Sequence, residues 1–272
     1  MQELLNAIII GLVQGLTEFL PVSSSGHLVL SQYLLGVEMP GMTFEIFLHF
    51  GTLISVFWVF RRRLWKIILS FVALFKKDEW AQFTTSTDRW FGLLLVLGCI
   101  PTALIGFALE DYVTQAFDSV KFVGIALLVT GILLWIADAL PGGKKDIHRT
   151  KIFDALFIGT FQGLAIFPGI SRSGSTISAA LFRRMDKRVA AEYSFLLSAP
   201  VILGATLLEV YDLISANVEL AGHWTVYLLG VTVSALAGIF AINFFIKLLV
   251  NNKLRYFSIY CWIVGLVVIV FL

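Results

Sequence analysis

Glu18, Ser23, Ser24, Ser25 and His27 fall within ten residues, in the run EFLPVSSSGH, and apolar sequence flanks them on both sides. A carboxylate, hydroxyls and an imidazole this close are the parts of nucleophilic catalysis, because a hydroxyl becomes a useful nucleophile only when a neighbouring base takes its proton. In one division of labour Ser24 attacks, while His27, one helical turn along, and Glu18, just before Pro21, move protons. In another, His27 is the nucleophile through a phosphohistidine and Glu18 orients its ring. The residues leave both open.

A second polar run, Ser171-Arg172-Ser173-Gly174-Ser175-Thr176, lies inside PGISRSGSTIS. A guanidinium matches a phosphate or diphosphate in bidentate fashion, and its fixed charge stabilises charge growing on a transferred phosphoryl group. Hydroxyl residues at a helix start sit beside free N–H groups and a positive dipole end, a setting that suits an anion. Arg172, Ser171, Ser173, Thr176, Ser23 and Ser25 are therefore candidate phosphate ligands. Such serines also cap helices and pack closely at small-residue contacts, which is the structural alternative.

The two runs are copies. Residues 11–26, GLVQGLTEFLPVSSSG, align without a gap to residues 159–174, GTFQGLAIFPGISRSG, and eight of sixteen positions are identical at an offset of 148. Gln14 pairs with Gln162, Ser23 with Ser171 and Gly26 with Gly174; Phe47 and Leu48 meet Phe195 and Leu196 at the same offset. The copies diverge where charge appears: Glu18 faces Ile166, Ser24 faces Arg172 and His27 faces Ser175. An ionisable group at membrane depth costs roughly 2.5–3.5 kcal/mol, so three near one point require a reason. Gln14 is read as a hydrogen-bonding support residue and Gln162 as a buried amide that satisfies broken-helix backbone.

What must position these groups is a membrane fold. Of 272 residues, 58% are hydrophobic and 14% charged, with a mean hydropathy of +0.90, well beyond a soluble domain. Apolar stretches at 42–60, 90–109, 122–140, 191–211, 225–246 and 256–272 each approach the ~20 residues of a transmembrane helix. The first apolar stretch lacks the basic start and small-residue cleavage site of a signal peptide and is expected to remain. Of 20 Lys and Arg, 18 lie in four segments, Arg61 to Arg89, Lys144 to Lys151, Arg183 to Arg188 and Lys247 to Arg255, which the positive-inside rule makes cytoplasmic. The opposite segments carry Glu38, then Glu110, Asp111 and Asp118, then Glu209, Asp212 and Glu219. The regular alternation of these charges with apolar spans argues for topology and against nucleic-acid binding.

Three spans separate the copies, so the second enters from the opposite face. Pro21 and Pro168-Gly169 break each copy into arms too short to cross, which predicts two opposed re-entrant hairpins whose tips meet near the midplane. The expected fold is an all-α integral membrane protein in one domain, with about six transmembrane helices and an inverted-topology repeat. The first repeat covers 1–140, with a hairpin at about 2–38, and the second covers 141–272, with a hairpin at about 152–182.

The stretches QGLTEFLPVSSSGH (14–27) and PGISRSGSTIS (168–178) resemble the signature regions of the bacterial undecaprenyl-diphosphate phosphatases, the bacitracin-resistance protein family, and the likeness in length, span pattern and motif order covers essentially the whole chain. The resemblance implies an enzyme of the bacterial cytoplasmic membrane that hydrolyses undecaprenyl diphosphate to the monophosphate, recycling the lipid carrier for peptidoglycan synthesis and conferring bacitracin resistance. It implies catalytic or phosphate-binding roles for Glu18, Ser24, His27, Ser171, Arg172 and Thr176, and dependence on Mg2+ or Ca2+. Some members carry a second Glu where this chain has Gln14, which weighs against a metal site that needs two carboxylates. An ion bridging Glu18 and the diphosphate is the expected form, without an organic cofactor. Membrane lipids and the lipid substrate are the expected partners, a homodimer is compatible with the reading, and the site is expected to open to the external side.

A rival reading is a lipid or anion carrier, alone or combined with the phosphatase, because inverted repeats are common in transporters and fold alone does not fix function. Glu45 and His49 share one face of the second span at i and i+4 and either reach the site or pair with each other. RRRLW at 61–65 reads as an orientation anchor and the span-end tryptophans as interfacial residues. Cys99 and Cys261 read as packed thiols.

Overall fold

The computed structural model describes residues 2–36, 41–75, 85–215 and 224–272. The expected hairpin limit at 38, the acidic residues Glu38 and Glu219 and the stretch 76–84 of the first basic segment lie outside them. The described chain is helical: α1 (Gln2–Phe19), α2 (Ser24–Leu35), α3 (Gly41–Val59), α4 (Arg61–Val72), α5 (Thr87–Phe117), α6 (Val120–Ala139), α7 (Ile152–Leu164), α8 (Arg172–Phe182), α9 (Lys187–Ser215), α10 (Trp224–Val250) and α11 (Leu254–Phe271). Among the described residues there is no strand, only an isolated bridge between Lys145 and Met185.

Helices α5, α6, α9, α10 and α11 are long and apolar enough to cross a bilayer, and α3 with α4 makes a sixth candidate bent by 78° at its break. The chain is a multi-pass membrane protein. The bend follows from the sequence: α3 is apolar throughout, whereas α4 begins with Arg61, Arg62 and Arg63 and places only one apolar stripe against α5, through Ile67 and Phe71 beside Gly92. A helix of that pattern lies along the interface rather than through it.

The two short helix pairs, α1–α2 and α7–α8, are interrupted where the prolines fall. The arms are not all short, however: α1 runs for 18 residues, about 27 Å of rise, because Gln2 to Asn6 continue the helix, with Glu3 at its positive end. The other three arms have 12, 13 and 11 residues. The first arm of each pair packs against a helix of the other half of the chain. Gly11 and Gly15 of α1 lie against Gly230 and Ser234 of α10, and Gly159 and Gly163 of α7 lie against Gly98 and Thr102 of α5. A methyl group at Gly159 would run into the Gly98 carbonyl, so the backbones touch as small-residue motifs in membranes allow. Thr102 fastens this contact by donating to the Gly159 carbonyl at 3.0 Å.

A buried carboxylate holds the basic end of the second pair. Asp154, in the first turn of α7, accepts from Lys145 Nζ at 2.9 Å, Arg183 Nε at 2.5 Å and the Lys151 N–H at 2.8 Å. One side chain thereby ties the 141–151 connection, the start of α7 and the end of α8 together.

Candidate active site

The breaks in the two pairs meet face to face. Ser23 adopts φ 70°, a left-handed conformation unfavourable for a residue with Cβ. This conformation aims its Oγ at two donors, the Gly26 N–H at 3.3 Å, which caps α2, and the Gly169 N–H at 3.1 Å, from the opposite break. Gly169 sits at φ 94°, where glycine is unstrained, and its Cα packs on Gly26. Ser171 caps α8 by accepting from the Gly174 N–H at 3.1 Å. Ser173 donates to the Leu20 carbonyl at 3.1 Å, a second strut between the breaks.

Glu18, the last polar residue of α1, is buried at this junction. Its Oε2 accepts from Gln14 Nε2 at 2.9 Å and from Ser24 Oγ at 2.5 Å, while Oε1 pairs with the Arg172 guanidinium. Carboxylate and hydroxyl of the first copy are thus joined to the cation of the second. His49, from α3, brings Nε2 to 3.9 Å from Glu18 Oε2; its Nδ1 donates to the Glu45 carbonyl at 2.8 Å, which holds the Nε2 edge of the ring toward the carboxylate. Glu45 accepts from Gln32 at 2.7 Å.

A cavity of about 310 Å3 opens over these groups. Ser24, Ser25, Glu18, Arg172 and His49 form its polar side; Ile46, Ile166, Ile170, Val201 and Ile202 form an apolar wall. Gln162 also reaches it, donating to Thr102 Oγ1 at 3.1 Å. Polar groups at one end and a hydrocarbon wall at the other suit a lipid with an anionic head.

Two expected phosphate ligands and one expected catalytic residue lie elsewhere. Thr176 is fully buried beneath the site, bonded to the Arg172 carbonyl at 2.9 Å and to Ser194 Oγ at 2.5 Å, so it fixes α8 to α9 rather than facing the cavity. Ser173 is occupied by Leu20. His27 points outward: its Nδ1 donates to the Ser23 carbonyl at 2.8 Å and its Nε2 accepts from the Tyr260 hydroxyl at 2.7 Å. Ser23, Ser25 and Ser171 do line the cavity. His49 is a cavity-lining residue that the sequence signalled weakly, through its i, i+4 spacing from Glu45.

The donor set does not form a protein-held metal site. Among the described residues no three His, Cys, Asp or Glu side chains converge, and both Glu18 oxygens already face donors.

Fold and site define a polytopic membrane protein with a serine–carboxylate pair and an arginine at the junction of two broken helices. The family described as Bacitracin resistance protein BacA matches residues 7–267. Relatives named undecaprenyl-diphosphatase include one from Halothermothrix orenii, 45% identical over 268 residues and 98% of both chains, and one from Alkaliphilus metalliredigens, 46% identical over 271 residues and 98% of both. A third, from Methanosphaera stadtmanae, is 37% identical over 280 residues, covering 99% of this chain and 98% of the relative. The chain belongs to the bacitracin resistance protein BacA family.

Proposed function

We propose that the chain hydrolyses undecaprenyl diphosphate to undecaprenyl phosphate and inorganic phosphate, recycling the lipid carrier for peptidoglycan synthesis, and that bacitracin resistance follows from this turnover. The observation that carries the reading is the hydrogen bond from Ser24 Oγ to a carboxylate that also meets Arg172, at the polar end of an apolar-walled cavity.

In this reading the diphosphate competes with Glu18 for Arg172, and the first N–H groups of α2 and α8 complete its cradle. Glu18, released from the guanidinium, takes the Ser24 proton as Oγ attacks the terminal phosphorus. The bond from that phosphorus to the bridging oxygen breaks, and undecaprenyl phosphate leaves. Water then attacks the phosphoserine, its two protons leave on dihydrogen phosphate, and Ser24 recovers its proton from Glu18. His49 is the imidazole placed to share that proton while the phosphoserine exists. His27, with both nitrogens engaged, positions the α2 start. Were Mg2+ or Ca2+ to accompany the diphosphate, Glu18 would be the carboxylate to hold it, and the ion would neutralise charge on the phosphoryl group.

The two halves, 1–140 and 141–272, are read as inverted repeats; the reciprocal packing of α1 on α10 and α7 on α5 supports this. The basic segments then face the cytoplasm of a bacterial inner membrane, and the cavity, lined by residues of α3 and α9 remote from those segments, opens outward. Phosphate release by purified protein in detergent, with divalent ions supplied, tests the function. Release abolished by both Ser24→Ala and Arg172→Ala is expected. Release that persists in Ser24→Ala overturns the nucleophile, and no release from folded wild type leaves an anion carrier.

A further inference from the structure

We propose that α4 carries a binding site for anionic phospholipid headgroups in the leaflet that faces the basic segments, with Arg62 and Lys66 as the headgroup ligands. The three consecutive arginines at the start of this helix have three different settings. Arg63 turns inward: its Nη1 pairs with Asp88 of α5 at 2.5 Å, its Nε with Glu192 of α9 at 3.2 Å, and its guanidinium lies 4.6 Å from the centroid of the Phe91 ring. Arg61 folds back on the end of α3, donating to the Trp58 carbonyl at 2.7 Å with its guanidinium 5.0 Å over the indole. Arg62 is exposed, as is Lys66 one turn later, and among the described residues neither has an ion pair or a hydrogen bond. Two like charges at i and i+4 repel each other on a helix, so this pair is left for a partner of negative charge.

The faces of α4 say which partner fits. Ile67 and Phe71 dock on α5 around Gly92. Trp65, Ile68, Leu69 and Val72, at i, i+3, i+4 and i+7, form a second stripe and are 48% to 61% exposed. Arg62 and Lys66 lie beside that stripe, on the side away from the docked face. Because α3 and α4 meet at 78°, α4 runs near the membrane plane when α3 crosses the bilayer, with Trp58 and Trp65 at headgroup depth. The apolar stripe then rests on acyl chains and the adjacent cations meet the phosphates. A soluble acidic partner would cover the cations but leave the stripe in water, whereas a lipid with a net negative head satisfies both faces. Since Arg63, Ile67 and Phe71 fasten the helix to its neighbours, the two cations are presented from a fixed platform, and little ordering is needed on binding. The site is remote from Glu18 and Ser24 in sequence and is argued from α4 and its contacts alone, so it stands whether or not the chain is a hydrolase.

Native mass spectrometry of the purified protein with equimolar dioleoylphosphatidylglycerol and dioleoylphosphatidylcholine tests the site by the composition of the first lipid adduct. Each Lys or Arg close to an anionic surface strengthens binding by roughly fivefold, so wild type should prefer phosphatidylglycerol by about tenfold or more. The double variant Arg62→Gln/Lys66→Gln should lower that preference at least about fivefold, and Arg62→Lys/Lys66→Arg should keep it. Arg188→Gln/Lys253→Gln removes the same charge from exposed positions in two other basic segments and should also keep it. A wild-type ratio near one, an unchanged ratio in Arg62→Gln/Lys66→Gln, or an equal fall in Arg188→Gln/Lys253→Gln overturns the site. Trp65→Cys in a chain lacking Cys99 and Cys261 should stay monomeric under oxidation; disulfide-linked dimers would give this face to a second copy of the chain and overturn the lipid site as well.

Discussion

His27 stacks on Tyr260, ring centroids 5.7 Å apart, and accepts its hydroxyl proton at Nε2. Because Nδ1 is engaged by the Ser23 carbonyl, the pair ties the first turn of α2, and so Ser24, to α11. His27→Ala and Tyr260→Phe should each lower kcat, and the double variant should lose little more than the worse single one, because both remove one strut. Fully additive losses in a double-mutant cycle would show that His27 acts on its own.

Glu18→Gln keeps the shape of the site but removes the base and frees Arg172. The expected result is a kcat lower by roughly 10^2- to 10^4-fold with KM for the diphosphate unchanged or reduced. Steady-state kinetics check it; a rise in KM at near-normal kcat would make Glu18 a substrate-binding group rather than a base.

Divalent ions should bind the protein only together with the diphosphate. Equilibrium dialysis with Ca2+ is expected to detect no stoichiometric binding to the protein alone and binding of an ion when a methylene-bridged diphosphate analogue is added. Tight binding to the ligand-free protein would require a cage that the donors around Glu18 do not form.

Asp154 is a stability prediction independent of catalysis. Removing one partner from a buried ion cluster costs about 3–5 kcal/mol, so Asp154→Ala should lower the thermal midpoint in detergent markedly, and Asp154→Asn by less. Equal midpoints for wild type and Asp154→Ala would make the cluster a surface ornament.

Much of this was legible in the sequence. The apolar spans coincide with long helices because hydropathy and helix length are dictated by the same bilayer, and the gap-free repeat located both helix breaks. Other features were not. His27 reads as the partner of Ser24 because it is near in sequence, yet the imidazole beside Glu18 is His49, delivered by a separate helix. Thr176 carries the right chemistry in the right motif but lies a turn below the cavity, a depth that linear spacing does not encode. The length of α1 is not encoded by Pro21, because a proline break limits only the end it occupies and the helix continues back to Gln2.

The Ser23 hydroxyl, which accepts from Gly26 in one half and Gly169 in the other, also bears on assembly. A single oxygen completes both breaks, and the carboxylate and guanidinium of the site come from different halves. Neither half holds a finished centre, so a gene cut within the 141–151 connection would yield two silent polypeptides whose activity returns only when they are produced together and find each other in the bilayer.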